Sequence, residues 1–146
     1  MRDNDQLVGI LEEEVSGYAE LLDLLRKEKE AIISFNPVAI EEMAKRKDAL
    51  LLKLRILDEE RRRLLDERFK NSHEEPDLMT LYRETKDDRL PDLRGRLRSL
   101  LEGVQELNEL NRIMIDRATV HVRMSSRFFQ TFGVGETSPD TYSRQV

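Results

Sequence analysis

Apolar residues recur along most of the chain at alternating steps of four and three, the spacing of a helix that buries one face. Between about residues 4 and 33 this stripe consists of Leu11, Val15, Tyr18, Leu22, Leu25 and Ile32. We expect the run Glu12–Glu14 on the solvent side of this helix. Asp3 or Asn4 is expected to accept hydrogen bonds from the free amides of its first turn. The pattern therefore predicts a long amphipathic first helix.

A second stripe predicts a second long helix over about 37–70. Its apolar members are Ile40, Met43, Leu50, Leu54, Leu57 and Leu64, and the stripe is widened by Leu51 and Leu65. Lys47 and Arg61 occupy seam positions of this helix. We expect their aliphatic stems to pack on the seam while their charged heads reach solvent.

The two helices meet at the sequence Phe35-Asn36-Pro37. The residue before a proline is disfavoured in a helix, whereas Asn is a favoured N-cap and Pro fits the first helical position. One helix is therefore expected to end here and the next to begin at once. A turn this short predicts an antiparallel hairpin.

The segment between about 71 and 90 breaks the pattern. It contains three basic and six acidic residues, so we expect it to be solvated, with a short helix over about 76–85. The stripe resumes in a third long helix over about 91–132, and residues 133–146 are predicted to form a disordered tail because they lack periodicity. Residues 1–132 are thus predicted to be one all-α domain, an antiparallel three-long-helix bundle or coiled coil with a short extra helix between helices two and three.

Composition narrows the function classes. The net charge of −5 argues against a general affinity for nucleic acid, and no apolar run approaches the roughly 18 residues of a membrane span. The first residues lack the basic start and apolar run of a signal peptide, so a cytoplasmic protein is expected. There is no cysteine, and His73 and His121 stand in no metal-ligand spacing. We therefore expect no enzyme, no catalytic residues, no cofactor and no metal site.

The last third of the third helix carries two apolar stripes. One consists of Met114, Ile115, Ala118, Val122, Phe129 and Phe132, and the other of Ile113, Val120, Met124 and Phe128. A helix that is apolar on two sides contacts two surfaces. The second stripe is expected to pack on the 76–90 segment, to bind a second copy in a homodimer, or to form a groove for an amphipathic client helix. In the third case Arg117, Arg123 and Arg127 suit pairing with carboxylates at the rim.

Two segments carry a resemblance to a known family. Residues 43–54 place a basic residue before a double leucine, and residues 107–115 hold Asn108 and Asn111 three positions apart in the last helix. Together with the chain length, the helix order and a tail tyrosine, Tyr142, these features resemble the FlgN-type flagellar export chaperones. A purely structural interpretation of the two asparagines is also possible, since polar residues on the seam fix the register of helices by hydrogen bonding.

The resemblance implies a specific role. Such proteins bind the hook-associated proteins of the hook–filament junction, keep their terminal helical segments from assembling early, and deliver them to the export gate of the flagellar type III apparatus. Client binding at the end of the last helix corresponds here to the second stripe with its neighbouring arginines: Ile113, Arg117, Val120, Met124, Arg127 and Phe128. The tail tyrosine implied at the export gate is Tyr142. A structural coiled-coil homo-oligomer and a helical regulatory adaptor are the alternatives.

Overall fold

A computed structural model describes residues 4–132, with only the backbone described for residues 120–123 and 125–132. The described residues contain four helices and no strand: α1 (Asp5–Ile33), α2 (Pro37–Arg68), α3 (Leu78–Thr85) and α4 (Arg89–Phe132). The all-α prediction is therefore confirmed for this part of the chain. Within it, no helix is long and apolar enough to cross a membrane. The predicted disordered tail, 133–146, lies outside the described residues.

The chain divides into two compact units, Met1–Leu107 and Asn108–Val146. In the first unit α1 and α2 run antiparallel. This direction is evident from two ion pairs, since the earlier glutamate, Glu14, pairs with the later cation, Arg61, while Glu28 pairs with Lys47. The turn between the two helices follows from its sequence. Asn36 caps α2 by accepting a hydrogen bond from the Ala39 amide at 3.1 Å, and Pro37 takes the first helical position.

Two apolar clusters form the core of the first unit. The first joins all four helices: Leu7, Val8, Leu11 and Val15 of α1, Leu65 with Phe69 of α2 and its end, Leu78 and Leu81 of α3, and Leu90, Leu93 and Leu97 of α4. The second joins Leu21, Leu24 and Leu25 of α1 to Leu50, Leu54 and Leu57 of α2. Lateral burial between helices, rather than the intrinsic propensity of each helix, thus supplies most of their stability.

Two predictions about solvation are wrong. The 71–90 segment is not simply solvated, since Leu78, Leu81 and Leu90 are buried in the core. Leu78 and Leu81 lie on one face of α3 and Leu90 lies in the first turn of α4, so the segment has buried apolar positions despite its many charges. On α2, Leu51 does not widen the buried stripe, because it is exposed while its neighbour Leu50 is buried.

The start of α1 is fixed by contacts distant in sequence. Of the two predicted caps, Asn4 makes no cap hydrogen bond with its side chain, and Asp3 lies outside the described residues. The Nδ2 of Asn4 instead donates to Thr85 Oγ1 at 3.1 Å and to Asp87 Oδ2 at 3.3 Å. Arg89 completes this network by donating to Asp87 at 2.7 Å and to Asp5 at 3.0 Å. These hydrogen bonds hold the beginnings of α1 and α4 and the end of α3 together.

The α1–α2 interface also contains buried charge. The prediction that Glu14 faces solvent is wrong, since its side chain is fully buried. Lys47 and Arg61 lie at the expected seam positions, but each is directed to a buried glutamate of α1 and not to open solvent. Their charges are therefore part of the helix interface.

Gly17 of α1 lies directly against the side chain of Leu54 of α2. A Cβ added at this position would lie 2.6 Å from Cδ2 of Leu54, which is itself buried. A residue with a side chain would force Leu54 out of its packed position. The absence of a side chain at Gly17 thus leaves the space that Leu54 occupies.

Candidate functional site

The predicted functional surface lies on α4 from Asn108 onward, within the second unit. Exposed ion pairs between residues three and four apart support the helix here. Arg112 contacts Glu109 at 2.7 Å and Asp116 at 3.5 Å. The hydrogen bond from Arg112 lowers the pKa of Glu109, so this carboxylate stays ionised at neutral pH. The face of α4 that carries Glu109, Arg112 and Asp116 is thus solvated and internally paired.

The described residues of the two predicted stripes differ in exposure. Met114, Ile115 and Ala118 of the first stripe are partly buried. Ile113 and Met124 of the second stripe are exposed, with 65% of Met124 accessible to solvent. Large apolar side chains presented on one helix face indicate an interaction surface. The two sides of α4 therefore differ in exposure among the described residues.

Leu110 belongs to the same exposed face, although the sequence reasoning did not include it. It is 40% exposed and lies three residues before Ile113, which places it within about 60° of Ile113 around the helix. Helical periodicity already places Leu110 on this face, since steps of three and four connect it with Ile113 and Arg117. We name Leu110, Ile113, Arg117 and Met124 the α4 stripe.

The α4 stripe carries one positive charge. Arg117 is exposed and makes no ion pair with any other described residue, in contrast to Arg112. Arginine binds carboxylates through two parallel hydrogen bonds, and its charge does not depend on pH in the physiological range. The stripe thus combines apolar contact area with a cation available to an acidic partner.

The remaining predicted site residues lie beyond what the structure describes. The side chains of Val120, Arg127 and Phe128 are outside the described residues, although their backbone continues the helix to Phe132. Tyr142 lies outside the described residues altogether.

Asn108 and Asn111 have different environments despite their close spacing. Asn108 is exposed, whereas Asn111 is almost completely buried. Residues three apart on a helix are neighbours, but here the boundary between the buried and the exposed side passes between them. Only Asn111 occupies a position at which a polar group specifies packing, and Ile113 lies about 160° away from it on the exposed side.

Comparison with known proteins assigns the family. The family model described as FlgN protein matches residues 1–145, essentially the whole chain. The chain belongs to the FlgN family. Membership implies a role as a flagellar export chaperone, so the resemblance found in the sequence is confirmed. No curated protein and no solved structure matches this FlgN-family chain.

Proposed function

We propose that the chain is a cytoplasmic chaperone that binds the terminal helical segments of hook-associated proteins and delivers them to the flagellar type III export gate. The observation that carries the proposal is the exposure of Ile113 and Met124 on α4 in a protein of the FlgN family. We propose that the chain acts by binding alone, without catalysis, cofactor or metal.

The chemistry of the α4 stripe suits an amphipathic helix. Leu110, Ile113 and Met124 recur at helical spacing on one face, so they offer a row of contacts to the apolar face of a client helix. The unbranched Met124 adapts to different partners. Burying an apolar side chain of this size contributes roughly 1.5–3 kcal/mol. Three such contacts contribute about 4.5–9 kcal/mol, which only partly offsets the entropic cost of association, so the client must also make contacts outside the α4 stripe.

Arg117 would orient the client helix on the α4 stripe. A carboxylate on the polar edge of the client helix would pair with its guanidinium at the rim of the apolar contact. Exposed pairs contribute little affinity, about 0.2–1 kcal/mol, but like charges in the same place are strongly disfavoured. The proposal therefore assigns affinity to the apolar residues and discrimination to Arg117.

Binding in this manner explains protection of the client. A terminal helix that is laid on the α4 stripe has its apolar face covered, and it cannot use that face to assemble with other copies. Delivery requires a second contact, and we assign it to Tyr142 in the C-terminal segment, following the family resemblance. Client binding and gate recognition would then be separable by mutation.

The test compares a double variant on the α4 stripe with a single variant elsewhere on the surface. Ile113→Asp combined with Met124→Asp places charges on the α4 stripe, whereas Ile33→Asp places one at an exposed apolar residue at the end of α1. With a purified hook-associated protein, calorimetry is expected to show about 100-fold weaker binding for the double variant and unchanged binding for Ile33→Asp. Far-UV circular dichroism verifies that both variants remain helical. Full binding by a helical double variant would refute the α4 stripe as the client site.

The role of Tyr142 is tested separately. Tyr142→Ala is expected to retain client affinity while secretion of the hook-associated protein into the medium decreases. Tyr142→Phe keeps the ring and removes only the hydroxyl, so it identifies which part is recognised. Normal secretion by Tyr142→Ala would exclude the tail from gate recognition.

A further inference from the structure

Midway along α2, the outer face carries two large aliphatic side chains in solvent, and a third, Val38, lies on the same face near the start of the helix. Leu52 is 58% exposed and Ile56 is 59% exposed, although both lie in the middle of a long helix. At about 100° per residue, Leu52 lies opposite the midpoint of the buried positions Leu50, Leu54 and Leu57. Burial within the first unit therefore does not explain either side chain.

Charged residues flank this apolar pair in an ordered way. Glu41 and Lys45 precede it, and Glu59 and Arg63 follow it. All four share an arc of about 60° with Leu52 and Ile56, and all four are exposed. We name these six residues the α2 outer face: Glu41, Lys45, Leu52, Ile56, Glu59 and Arg63. The order along the helix is acidic, basic, apolar, acidic, basic.

This order selects one way of pairing the face with itself. A parallel pairing in register places each charge against its own copy. An antiparallel pairing centred between Leu52 and Ile56 places Lys45 against Arg63, again like against like. An antiparallel pairing centred on Leu52 behaves differently, because Lys45 and Glu59 lie seven residues to either side of it. Lys45 then faces Glu59 of the other copy.

The same centre satisfies the outer pair of charges. Glu41 and Arg63 lie eleven residues to either side of Leu52, so they too face each other across the pairing. A two-fold axis repeats each contact, which gives two copies of both ion pairs around a central contact of Leu52 with its own copy. Like charges in register destabilise an interface, whereas opposite charges fix its register.

We propose that the α2 outer face binds a second copy of this chain, antiparallel, around a two-fold axis at Leu52. The interface uses residues of α2 alone and does not depend on the client-binding role proposed for the α4 stripe. Its apolar part consists of two side chains per copy, far less than a standard interface of about 1,600 Å². The association is therefore weak, with a dissociation constant in the high micromolar range.

Lys45 and Glu59 are the better pair to test. Arg63 already donates to Glu67 at 3.0 Å and also contacts Glu60 within its own helix. Lys45 has only a long contact with Glu41 at 3.5 Å, and Glu59 makes no ion pair with the other described residues. Reversing either charge therefore changes the intermolecular pairs with little effect on the helix.

The decisive experiment mixes two variants, each of which is expected to self-associate poorly by itself. In sedimentation equilibrium between about 10 µM and 1 mM, Lys45→Glu and Glu59→Lys are each expected to weaken self-association at least tenfold, since each places like charges in both symmetric pairs. In an equimolar mixture one copy is acidic and the other basic at both positions. The mixture is expected to dimerise at least as strongly as the original chain. A mixture that stays monomeric would overturn the proposal.

A second comparison separates the α2 outer face from other surfaces. Leu52→Asp is expected to abolish self-association, while Phe35→Asp, at an apolar residue 66% exposed in the turn before α2, leaves it unchanged. Thermal unfolding verifies that both variants fold. The proposal is wrong if the original chain is monomeric at 1 mM or if it dimerises equally well with Leu52→Asp. Reduced client binding by Leu52→Asp without any self-association would also contradict it, and would assign this face to the client.

Discussion

The carboxylate of Glu14 accepts a hydrogen bond from the guanidinium of Arg61 at 2.7 Å, across the interface of α1 and α2. Lys47 donates to Glu28 at 3.0 Å in the same relation. The two glutamates are fourteen residues apart on α1 and the two cations fourteen apart on α2, which is two heptads on each helix. Both pairs therefore define a single register for the hairpin.

The two ion pairs disfavour a shift of α2 along α1 by one heptad. If α2 moved by one heptad in either direction, Leu54 would oppose one of the glutamates, Glu14 or Glu28. A buried carboxylate against leucine lacks a partner and costs several kcal/mol. Leucines alone would tolerate such a slip, because a heptad pattern repeats itself. We infer that the two ion pairs select one alignment of otherwise similar leucine seams.

Breaking one pair should destabilise the protein strongly. Arg61→Met leaves Glu14 buried without its cation, so we expect the free energy of unfolding in urea to fall by about 3–5 kcal/mol. The matched control is Arg62→Met, because Arg62 is exposed and contacts Asp58 at 3.2 Å. This control should change stability by less than about 0.5 kcal/mol.

A second substitution tests whether the loss arises from the isolated charge. Adding Glu14→Leu to Arg61→Met removes the carboxylate, so most of the lost stability should return. If the double variant is less stable than Arg61→Met alone, the pair itself supplies the stabilisation and the isolated charge is not the cause.

Burial of Glu14 predicts an unusual dependence on pH. Desolvation raises its pKa above the ordinary value of 4.5, although the charge of Arg61 opposes this. Its Oε1 has no hydrogen-bond partner among the described residues, which fits this direction. A raised carboxyl pKa means that the folded state binds the proton more tightly than the unfolded state. The resulting contribution is complete below pH 4.5 and is lost as the pH rises through the folded pKa.

The measurement compares the original chain with Glu14→Gln from pH 4.5 to pH 8. The difference in unfolding free energy, original minus variant, should fall with increasing pH and then become constant. Asp87 does not interfere, since its hydrogen bonds with Arg89 hold its pKa well below the usual range. A difference that rises with pH would show that pairing with Arg61 outweighs desolvation.

Gly17 should resist substitution for a reason of packing. Gly17→Ala places a methyl group against the buried side chain of Leu54, which costs about 1–3 kcal/mol. The gain in helix propensity returns only about 1 kcal/mol. Gly9→Ala, also in α1, is the control, because a Cβ at Gly9 has no atom within 4 Å. Urea unfolding should show a loss for Gly17→Ala and a gain of about 0.5–1 kcal/mol for Gly9→Ala.

The helices and the turn were predictable because their signals are local. Periodicity located the long helices, and the sequence Asn36-Pro37 located the turn, whose capping hydrogen bond to Ala39 the structure confirms. Burial of Glu14 was only partly predictable in this way. Steps of three and four connect its position with Leu11 and Tyr18, but burial of its charge depends on Arg61, which lies 47 residues away in the sequence.

The candidate site, too, was predictable only where its signals are local in the sequence. Periodicity separated the two sides of α4, and the exposure of Ile113 and the partial burial of Met114 agree with that separation. Leu110 was missed because its spacing of three from Leu107 is equally typical of the last position of the buried stripe. Whether such a leucine is covered depends on the elements packed beside it, and sequence periodicity does not specify those.

Leu110 now provides a test of how far the client surface extends. If the client helix lies along the α4 stripe, Leu110→Asp should weaken binding of a hook-associated protein at least tenfold, because it removes an apolar contact and introduces a charge. Asn108→Asp is the matched control, since it adds the same charge to an exposed residue about 160° around the helix. Calorimetry should show a loss only for Leu110→Asp. Equal effects of the two variants would mean that charge alone matters, whereas normal binding by both would place the client beyond Leu110, toward Met124.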